Sequence, residues 1–248
     1  VNVAQAWAEA YKTVNPDLAI AVTGGGSGTG ISSLINGTVD IANASRKIKD
    51  KEREAAKANG HDPLEFVVGF DALAVYVHKD NPIESISIEQ LAGIYGENGE
   101  TVNWSDIGIT MPGGQDEIVR VSRQNNSGTY AYFKGTVLGK EQEFKLGSLD
   151  QHGSKDVVDL VAHTPGAIGY SGLAYATPDV KMVPVVNTDG TAVAPSVASA
   201  SDGTYPIARP LLMYTLGEPQ GDVKAYMDWI LSDAGQKIIM DKGYAPAK

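Results

Sequence analysis

Two glycine- and serine-rich loops, each placed between a predicted strand and a predicted helix, most strongly constrain the fold of this chain. The first loop, TGGGSGTG at 23–30, follows a short apolar strand at 18–22. The second loop, RQNNSGT at 123–129, follows a strand at 118–122. Loops in this position present backbone N–H groups and helix N-termini, which bind anions beyond the carboxyl ends of the strands. The sequence therefore predicts an α/β fold that binds a small oxyanion.

Predicted strands and helices alternate along the chain of 248 residues, which indicates an α/β protein with largely parallel strand pairing. Further strands are expected at 39–42, 64–68 and 72–77, with a turn at 69–71 between the last two. The Ser-, Ala- and Gly-rich stretch at 188–203 is expected to lie on the surface. No apolar run approaches the ~18 residues that a membrane-spanning helix needs.

The composition argues against several classes of function. A net charge of −10 disfavours non-specific nucleic-acid binding, because a phosphate backbone attracts surfaces rich in Lys and Arg. It permits the binding of one small anion, since surface charge is screened over ~8–10 Å. The absence of Cys excludes disulfides, thiol catalysis and thiolate metal sites. The four histidines lack metal-ligand spacing, so neither a metal nor any other cofactor is predicted.

The two loops supply the first candidate ligand residues. Ser27 and Thr29 carry hydroxyl donors among glycines that let a ligand approach the backbone. The same loop lacks the lysine of a nucleotide-binding P-loop, and its alternative interpretation is a flexible turn with a helix cap. In the second loop, Arg123 offers a planar fork that matches a tetrahedral oxyanion. The other candidates in that loop are Ser127, Gly128 and Thr129.

Two further positions add polar groups near strand ends. Ser45 follows the predicted strand at 39–42, and the adjacent Arg46 is either a ligand contact or a surface partner for Asp50 or Glu52. Asp71 lies among apolar neighbours and can accept a hydrogen bond from a protonated oxyanion, which favours hydrogen phosphate over sulfate. Its alternative role is that of a turn or cap residue.

Six motifs in order along the chain resemble those of a known family, the PstS-like periplasmic phosphate-binding proteins of bacterial ABC transporters. These motifs are GGGSGTG at 24–30, VDIANASR at 39–46, GFDALAVYVHKDNP at 69–82, SRQNNSGTY at 122–130, GAIGYSGLAYA at 166–176 and GYAPAK at 243–248. Together they extend over most of the chain, so the resemblance is specific although each motif alone is loose.

The resemblance implies two α/β lobes joined by a hinge, with the ligand buried in a cleft between them. Lobe I is expected to comprise residues 1–78 and 177–248, and lobe II residues 79–176. The implied function is to bind phosphate as an exported, periplasmic or extracellular monomer without a cofactor, and to deliver it to the permease subunits of an ABC transporter. The ligand residues that the resemblance implies are Ser27, Thr29, Ser45, Asp71, Arg123, Ser127, Gly128 and Thr129.

The chain departs from this family in three places. Many relatives have Asp where Ser45 or Arg46 stands, so Asp71 or another group is expected to accept the ligand proton. Asn125 replaces an Asp that relatives often carry, and it cannot clamp the arginine by charge. Relatives also begin with a strand and a ligand-binding loop before the first helix. A fragment, a cleaved chain or a separately supplied segment is therefore expected here.

Three alternatives remain open from the sequence. The first is a receptor for another oxyanion, such as molybdate, tungstate, sulfate or arsenate. The second is an extracellular scaffold or adhesin that keeps the fold. The third is a phosphate-ester hydrolase that uses a loop serine. The hydrolase needs a base near that serine, and neither loop contains His or Lys.

Overall fold

The computed structural model describes residues 1–247 and divides the chain into two compact units. Unit 1 comprises Val1–Phe70, Asn126–Gly128 and Pro210–Lys248, and unit 2 comprises Asp71–Asn125 and Thr129–Arg209. Helices and strands are present in both units, so the α/β class predicted from the sequence is confirmed. In the part of the chain that the structure describes, no helix combines the length and the apolar character that crossing a membrane requires.

The secondary structure follows the predicted alternation over much of the chain. The α-helices are α1 (Asn2–Tyr11), α2 (Ser27–Ile35), α3 (Asp50–Ala58), α4 (Ile88–Tyr95), α5 (Gly128–Phe133), α6 (Ser154–Ala162), α7 (Val197–Ser201), α8 (Gly221–Ile230) and α9 (Asp233–Asp241). The strands are β1 (Ala42–Ala44), β2 (Pro63–His78), β3 (Ile86–Ser87), β4 (Val119–Arg123), β5 (Leu149–Gln151), β6 (Ala167–Gly172), β7 (Val180–Val183), β8 (Val185–Val186), β9 (Ala192–Val193) and β10 (Ala208–Leu216). Short 3-10 helices span Trp104–Ile107, Pro112–Gly114 and Leu173–Tyr175, and a π-helical turn, Lys134–Leu138, follows α5.

In unit 1, β10 lies between β1 and β2. The β1–β10 pair is antiparallel, with Ala42 opposite Tyr214. The apolar face of α2 packs on these strands, because its apolar residues recur at helical spacing on one side. Helix α1 packs against α9, where the buried Trp7 indole donates to the Gly235 carbonyl at 2.7 Å. The core of this sheet comprises Ile31, Leu34, Ala42, Ala44, Leu212 and Tyr214.

In unit 2, the strand order is β7, β2, β6, β4 and β5, and a separate small sheet has the order β3, β8 and β9. Helix α6 covers the larger sheet and buries its three valines against it. Burial of each such side chain contributes roughly 1.5–3 kcal/mol. Residues of this core are Ala74, Tyr76, Val121, Val157, Val158, Val161 and Ala167. A buried aromatic group forms where α4, α5 and β6 meet. Its rings are Tyr95, Phe133 and Tyr170.

The structure corrects three sequence expectations. The strand predicted at 18–22 is absent from the described chain. The two strands predicted at 64–68 and 72–77 are one 16-residue strand, β2, and the predicted turn at 69–71 is extended and lies inside it. Gly69 is needed there for close packing rather than for a turn, since an added Cβ would lie 2.3 Å from Ile239 Cδ1.

Strand pairing is also less parallel than predicted. Parallel pairs are β3–β8, β4–β5 and β4–β6. By contrast, β6 and β7 both run antiparallel to β2, and β10 runs antiparallel to β1. The prediction of largely parallel pairing was wrong, because helix–strand alternation along the chain does not specify the direction in which each strand returns.

The unit boundaries differ from the predicted lobe boundaries. The prediction placed them after residues 78 and 176, whereas the compact units divide after Phe70 and after Arg209, and the short segment Asn126–Gly128 belongs to unit 1. Segment 71–78 belongs to unit 2 because it pairs with β6 and β7. Segment 177–209 belongs there because it contains β7 and the small sheet. The surface stretch predicted at 188–203 contains β9 and α7, in which Ser199 and Ala200 are buried.

Candidate functional site

In unit 1, the start of α2 and the end of β1 bring two serines together. Ser27 is the first residue of α2 and follows Gly26, whose φ of 90° is left-handed and suits glycine. The Ser45 N–H donates to Ser27 Oγ at 3.1 Å. A Cβ on Gly128 would lie 2.2 Å from Ser27 Oγ and 2.5 Å from Ser45 Oγ, so both hydroxyls face the backbone of residue 128. We call Ser27, Ser45 and Gly128 the hydroxyl cluster.

Asn126 connects the two glycine-serine loops within unit 1. Its carbonyl accepts the Gly28 N–H at 3.3 Å, and its side-chain amide donates to the Gly25 carbonyl at 3.2 Å. Sequence reasoning missed this role. The only indication of this role in the sequence was the general tendency of Asn side chains to hydrogen-bond backbone groups in loops.

The remaining loop candidates differ in their surroundings. Thr29 is exposed, and its hydroxyl donates to the Gly25 carbonyl at 2.9 Å, so the structure does not bring this hydroxyl into the hydroxyl cluster. Ser127 is buried beside Gly128. Thr129, the next residue in the chain, is also buried and belongs to unit 2.

Arg46 forms hydrogen bonds at the N-terminal end of α3. Its guanidinium donates to both oxygens of Glu52, at 2.8 and 2.7 Å, and to the Lys47 carbonyl at 2.9 Å. Glu52 in turn accepts the Lys49 N–H at 2.8 Å. Burial raises the pKa of Glu52, but the hydrogen bonds from Arg46 and Lys49 outweigh it, so the net pKa is lowered. Of the roles considered for Arg46, the structure shows the pair with Glu52, although Arg46 is buried rather than on the surface.

In unit 2, Asp71 and Arg209 form a buried ion pair. Asp71 lies in the middle of β2, and Arg209 is the second residue of β10. The Leu73 N–H donates to the Ile207 carbonyl at 2.9 Å, which brings the two segments side by side. Arg209 Nε and Nη2 both donate to Asp71 Oδ2, at 3.2 and 2.9 Å. The side chains are only 3% and 4% exposed, so the pair is shielded from water.

The charge state of Asp71 is set by opposing effects. Burial raises the pKa of Asp71 above its usual value, and the Arg209 guanidinium, with a smaller contribution from the Leu173 N–H, offsets only part of that rise. Two charge-assisted bonds to Oδ2 favour the ionised carboxylate.

Arg209 is also a donor to Thr129, whose Oγ1 accepts from Nη2 at 3.0 Å. Its guanidinium lies over the ring of Tyr132, with Cζ 5.8 Å from the ring centroid. The Tyr132 hydroxyl donates to the Ala208 carbonyl and thereby fixes the ring. Sequence reasoning missed Arg209. The available signal was Asp71 itself, because a carboxylate buried among apolar residues requires a cationic partner.

Arg123, the last residue of β4, is the second buried cation of unit 2. It donates to Ser154 Oγ and to the His152 carbonyl, both at 2.8 Å, and its Nε has no hydrogen-bond partner among the described residues. Burial lowers the pKa of Arg123, and the nearby charge of Arg209 lowers it further. We call Asp71, Arg123, Thr129 and Arg209 the arginine cluster.

The arginine cluster contains an excess of positive charge. The cluster holds two guanidiniums and one carboxylate, which pairs with Arg209; the hydrogen-bond partners of Arg123 are neutral, and the charge of Asp156 acts on it without forming an ion pair. A buried charge without a counterion is unfavourable, so the cluster is suited to bind an anion. Within residues 1–247, no group of three or more His, Asp or Glu side chains is arranged to hold a metal ion.

Comparison with known proteins identifies related sequences and structures. The family model described as a PBP superfamily domain matches residues 2–234. The phosphate-binding protein PstS of Pseudomonas aeruginosa is 34% identical over 99% of this chain and 79% of its own length. The PstS of Bacillus subtilis is 34% identical over 96% of this chain and 75% of its own length.

A solved structure resembles the fold over its full length. It is that of a proposed phosphate ABC transporter substrate-binding protein from Clostridium perfringens with bound phosphate. The TM-score is 0.87 with 31% sequence identity, covering 100% of this chain and 95% of that chain.

Proposed function

We propose that this chain, which belongs to the PstS family of phosphate-binding proteins within the PBP superfamily, binds hydrogen phosphate for delivery to an ABC transporter. The observation that carries the proposal is the buried Arg123 guanidinium. Its hydrogen-bond partners are the neutral Ser154 hydroxyl and His152 carbonyl. An oxyanion would neutralise this charge and accept the N–H of its unpartnered Nε.

The hydroxyl cluster supplies neutral donors in this proposal. Because Ser27 Oγ accepts the Ser45 N–H, the proton of Ser27 is left for a ligand oxygen. Gly128 lets a ligand approach the backbone where any side chain would collide with both serines. We leave the predicted Thr29 out of the proposed ligand residues, because its hydroxyl donates to the Gly25 carbonyl. The proposed ligand residues are Ser27, Ser45, Asp71, Arg123, Ser127, Gly128 and Thr129.

Asp71 favours an anion that carries a proton. Its Oδ1 is buried and accepts no hydrogen bond of standard geometry among the described residues. Hydrogen phosphate can donate its hydroxyl to this oxygen, whereas fully ionised sulfate would place its own oxygen against the carboxylate. Arsenate has the same protonation pattern as phosphate and is expected to bind at the same site.

We propose binding without chemical conversion. A serine nucleophile needs a neighbouring base that removes its proton. In the described chain, Ser27 Oγ is hydrogen-bonded to the Ser45 N–H, and neither a histidine nor a lysine contacts it. We also propose that the protein acts as a monomer outside the cytoplasmic membrane and presents phosphate to permease subunits, without a cofactor and without nucleic acid. Family membership and the acidic net charge of −10 support these roles.

Isothermal titration with phosphate, arsenate, sulfate and molybdate tests the proposal. We expect binding heat with phosphate and arsenate, and none with sulfate or molybdate at the same concentration. Arg123→Gln is expected to remove phosphate binding, because it removes the cation whose charge the ligand neutralises. The matched control is Arg120→Gln, since Arg120 lies on the same strand and its Nε also lacks a partner among the described residues, but it donates to the Leu146 carbonyl and is not part of the arginine cluster.

The outcomes separate the parts of the proposal. The absence of heat with every oxyanion would refute the function. Equal heat with sulfate and phosphate would leave an anion receptor but remove Asp71 as the acceptor of the ligand proton. Equal loss of binding in the Arg120 and Arg123 variants would show that the site does not depend specifically on Arg123.

A further inference from the structure

The Asp71–Arg209 ion pair is asymmetric. Nε and Nη2 of Arg209 both donate to the same oxygen, Asp71 Oδ2. Among the described residues, no hydrogen bond of standard geometry reaches Asp71 Oδ1 or leaves Arg209 Nη1, although both atoms are inaccessible to water; the Leu173 N–H lies near the carboxylate and makes only a weaker contribution to its pKa. One acceptor and one donor therefore remain unsatisfied within a single buried pair.

A pair that served only to stabilise the fold would be expected to satisfy both carboxylate oxygens. The fork of an arginine can do this by placing two N–H groups opposite two oxygens. A buried polar atom without a partner is unfavourable, and native proteins leave few of them. The two unsatisfied atoms here therefore point to a group that binds between them and is not part of the chain.

The neighbours of Arg209 fix the direction of its free N–H groups. The second N–H of Nη2 donates to Thr129 Oγ1 at 3.0 Å. This N–H lies on the edge of the guanidinium that is formed by Nη1 and Nη2. The ring of Tyr132 lies against the guanidinium, and its hydroxyl bonds to the carbonyl of Ala208. Rotation of the guanidinium would break these contacts, so Nη1 stays directed to the side of the Thr129 hydroxyl.

We propose that Arg209 is a ligand-binding residue that determines specificity together with Asp71. Nη1 donates to an unprotonated oxygen of the bound ion, and Asp71 Oδ1 accepts the hydroxyl proton of the same ion. This donor–acceptor pair fits a tetrahedral oxyanion that carries one proton, and sulfate can satisfy only its donor half. The inference rests on the proposed function and adds to it the residue that orients and supports the acceptor.

Titration of Arg209→Lys with phosphate tests the role of Nη1. Lysine keeps the positive charge near Asp71 but has no second nitrogen that can reach the ligand while the first bonds the carboxylate. We expect the Kd for phosphate to rise about 10- to 100-fold, the value of one charge-assisted hydrogen bond. The matched control, Arg120→Lys, makes the same change on the same unit and is expected to stay within about twofold of the parent protein.

Asp71→Asn provides a second readout, the preference for phosphate over sulfate, which altered packing alone would not change. The asparagine amide has nearly the same shape, but it can present an N–H where Oδ1 now accepts. We expect phosphate to bind more weakly and sulfate more strongly, so that the preference for phosphate falls at least about tenfold. Unfolding midpoints without ligand are measured for every variant to separate folding from binding.

The phosphate titrations of the parent and variant proteins distinguish failure of the proposed function from failure of this inference. If the parent protein binds no phosphate, the proposed function and this inference both fail. If the parent binds phosphate and Arg209→Lys binds it within twofold, only the inference fails and Arg209 is a structural residue. If Arg209→Lys does not fold, an unchanged preference for phosphate over sulfate in Asp71→Asn would overturn the inference.

Discussion

Substitution of Gly128 by alanine tests how closely the hydroxyl cluster surrounds a ligand. The new Cβ would lie 2.2 Å from Ser27 Oγ and 2.5 Å from Ser45 Oγ, and real Cβ contacts are essentially never below 3.0 Å. The two oxygens must therefore retreat by about 0.8 and 0.5 Å. For Ser27 this movement breaks the hydrogen bond that it accepts from the Ser45 N–H.

The effect on binding should be much larger than the effect on folding. Two hydroxyl donors to a charged ligand are together worth about 3–6 kcal/mol, which corresponds to a loss of affinity of about 10²- to 10⁴-fold. Overpacking of one methyl group costs about 1–3 kcal/mol of unfolding free energy. In a protein of this size that lowers the melting temperature by roughly 2–4 °C per kcal/mol. Gly128→Ala should therefore remain folded at 25 °C and lose phosphate binding.

Isothermal titration with phosphate and thermal unfolding without ligand measure the two effects. The matched control is Gly135→Ala, because nothing lies within 4 Å of the Cβ that it would add. We expect the control to bind phosphate as the parent does. Binding of phosphate by Gly128→Ala with the affinity of the parent would refute the placement of Ser27 and Ser45 against the ligand.

Two further predictions concern the scaffold. Glu52→Gln should cost about 1–2 kcal/mol at pH 7 by breaking the pair with Arg46. Because the folded pKa of Glu52 is lowered, its carboxylate stabilises the protein above the usual glutamate value of ~4.3, and this contribution is lost as the pH falls through the folded pKa. Gly69→Ala should cost about 1–3 kcal/mol, because its Cβ would lie 2.3 Å from Ile239 Cδ1 and 2.8 Å from the Ala245 carbonyl.

Denaturant unfolding measures both scaffold effects. For Glu52→Gln, the difference from the parent should shrink as the pH falls below ~4.3 and vanish below the lowered folded pKa of Glu52; a difference that does not shrink with acidification would contradict an ionic origin. The control is Glu54→Gln, an exposed change on the same helix. For Gly69→Ala, an unchanged unfolding midpoint would mean that β2 has room at residue 69.

The sequence predicted the polar loops better than the path of the strands. In the two loops, glycine allows special backbone conformations, serine supplies a hydroxyl donor and arginine supplies a planar cation. These properties belong to the residues themselves and can be recognised without tertiary information. The predicted strand at 118–122 appears as β4, one residue further on, and leaves Arg123 at its end.

Features that depend on distant segments were not predictable. Gly69-Phe70-Asp71 has the composition of a turn, but pairing extends β2 through it, so that Asp71 became a buried strand residue. Arg209 is separated from Asp71 by 138 residues, and only the approach of segment 207–209 to β2 brings them together. Arg46 likewise was ambiguous until α3 placed Glu52 within its reach.

In the proposed site, Asp71 would supply the carboxylate that the family resemblance leads one to expect at other positions. Ser45, Arg46 and Asn125 provide no carboxylate at the positions where the resemblance leads one to expect Asp. Asp71 supplies one, and Arg209 binds only one of its oxygens, so the other stays available as an acceptor. Because Arg123 hydrogen-bonds only to neutral groups and forms no ion pair among the described residues, the arginine cluster itself carries more positive than negative charge even though the whole chain carries −10. Surface charge is screened beyond ~8 Å at physiological ionic strength, so this local excess, rather than the net charge, should govern the binding of a buried anion.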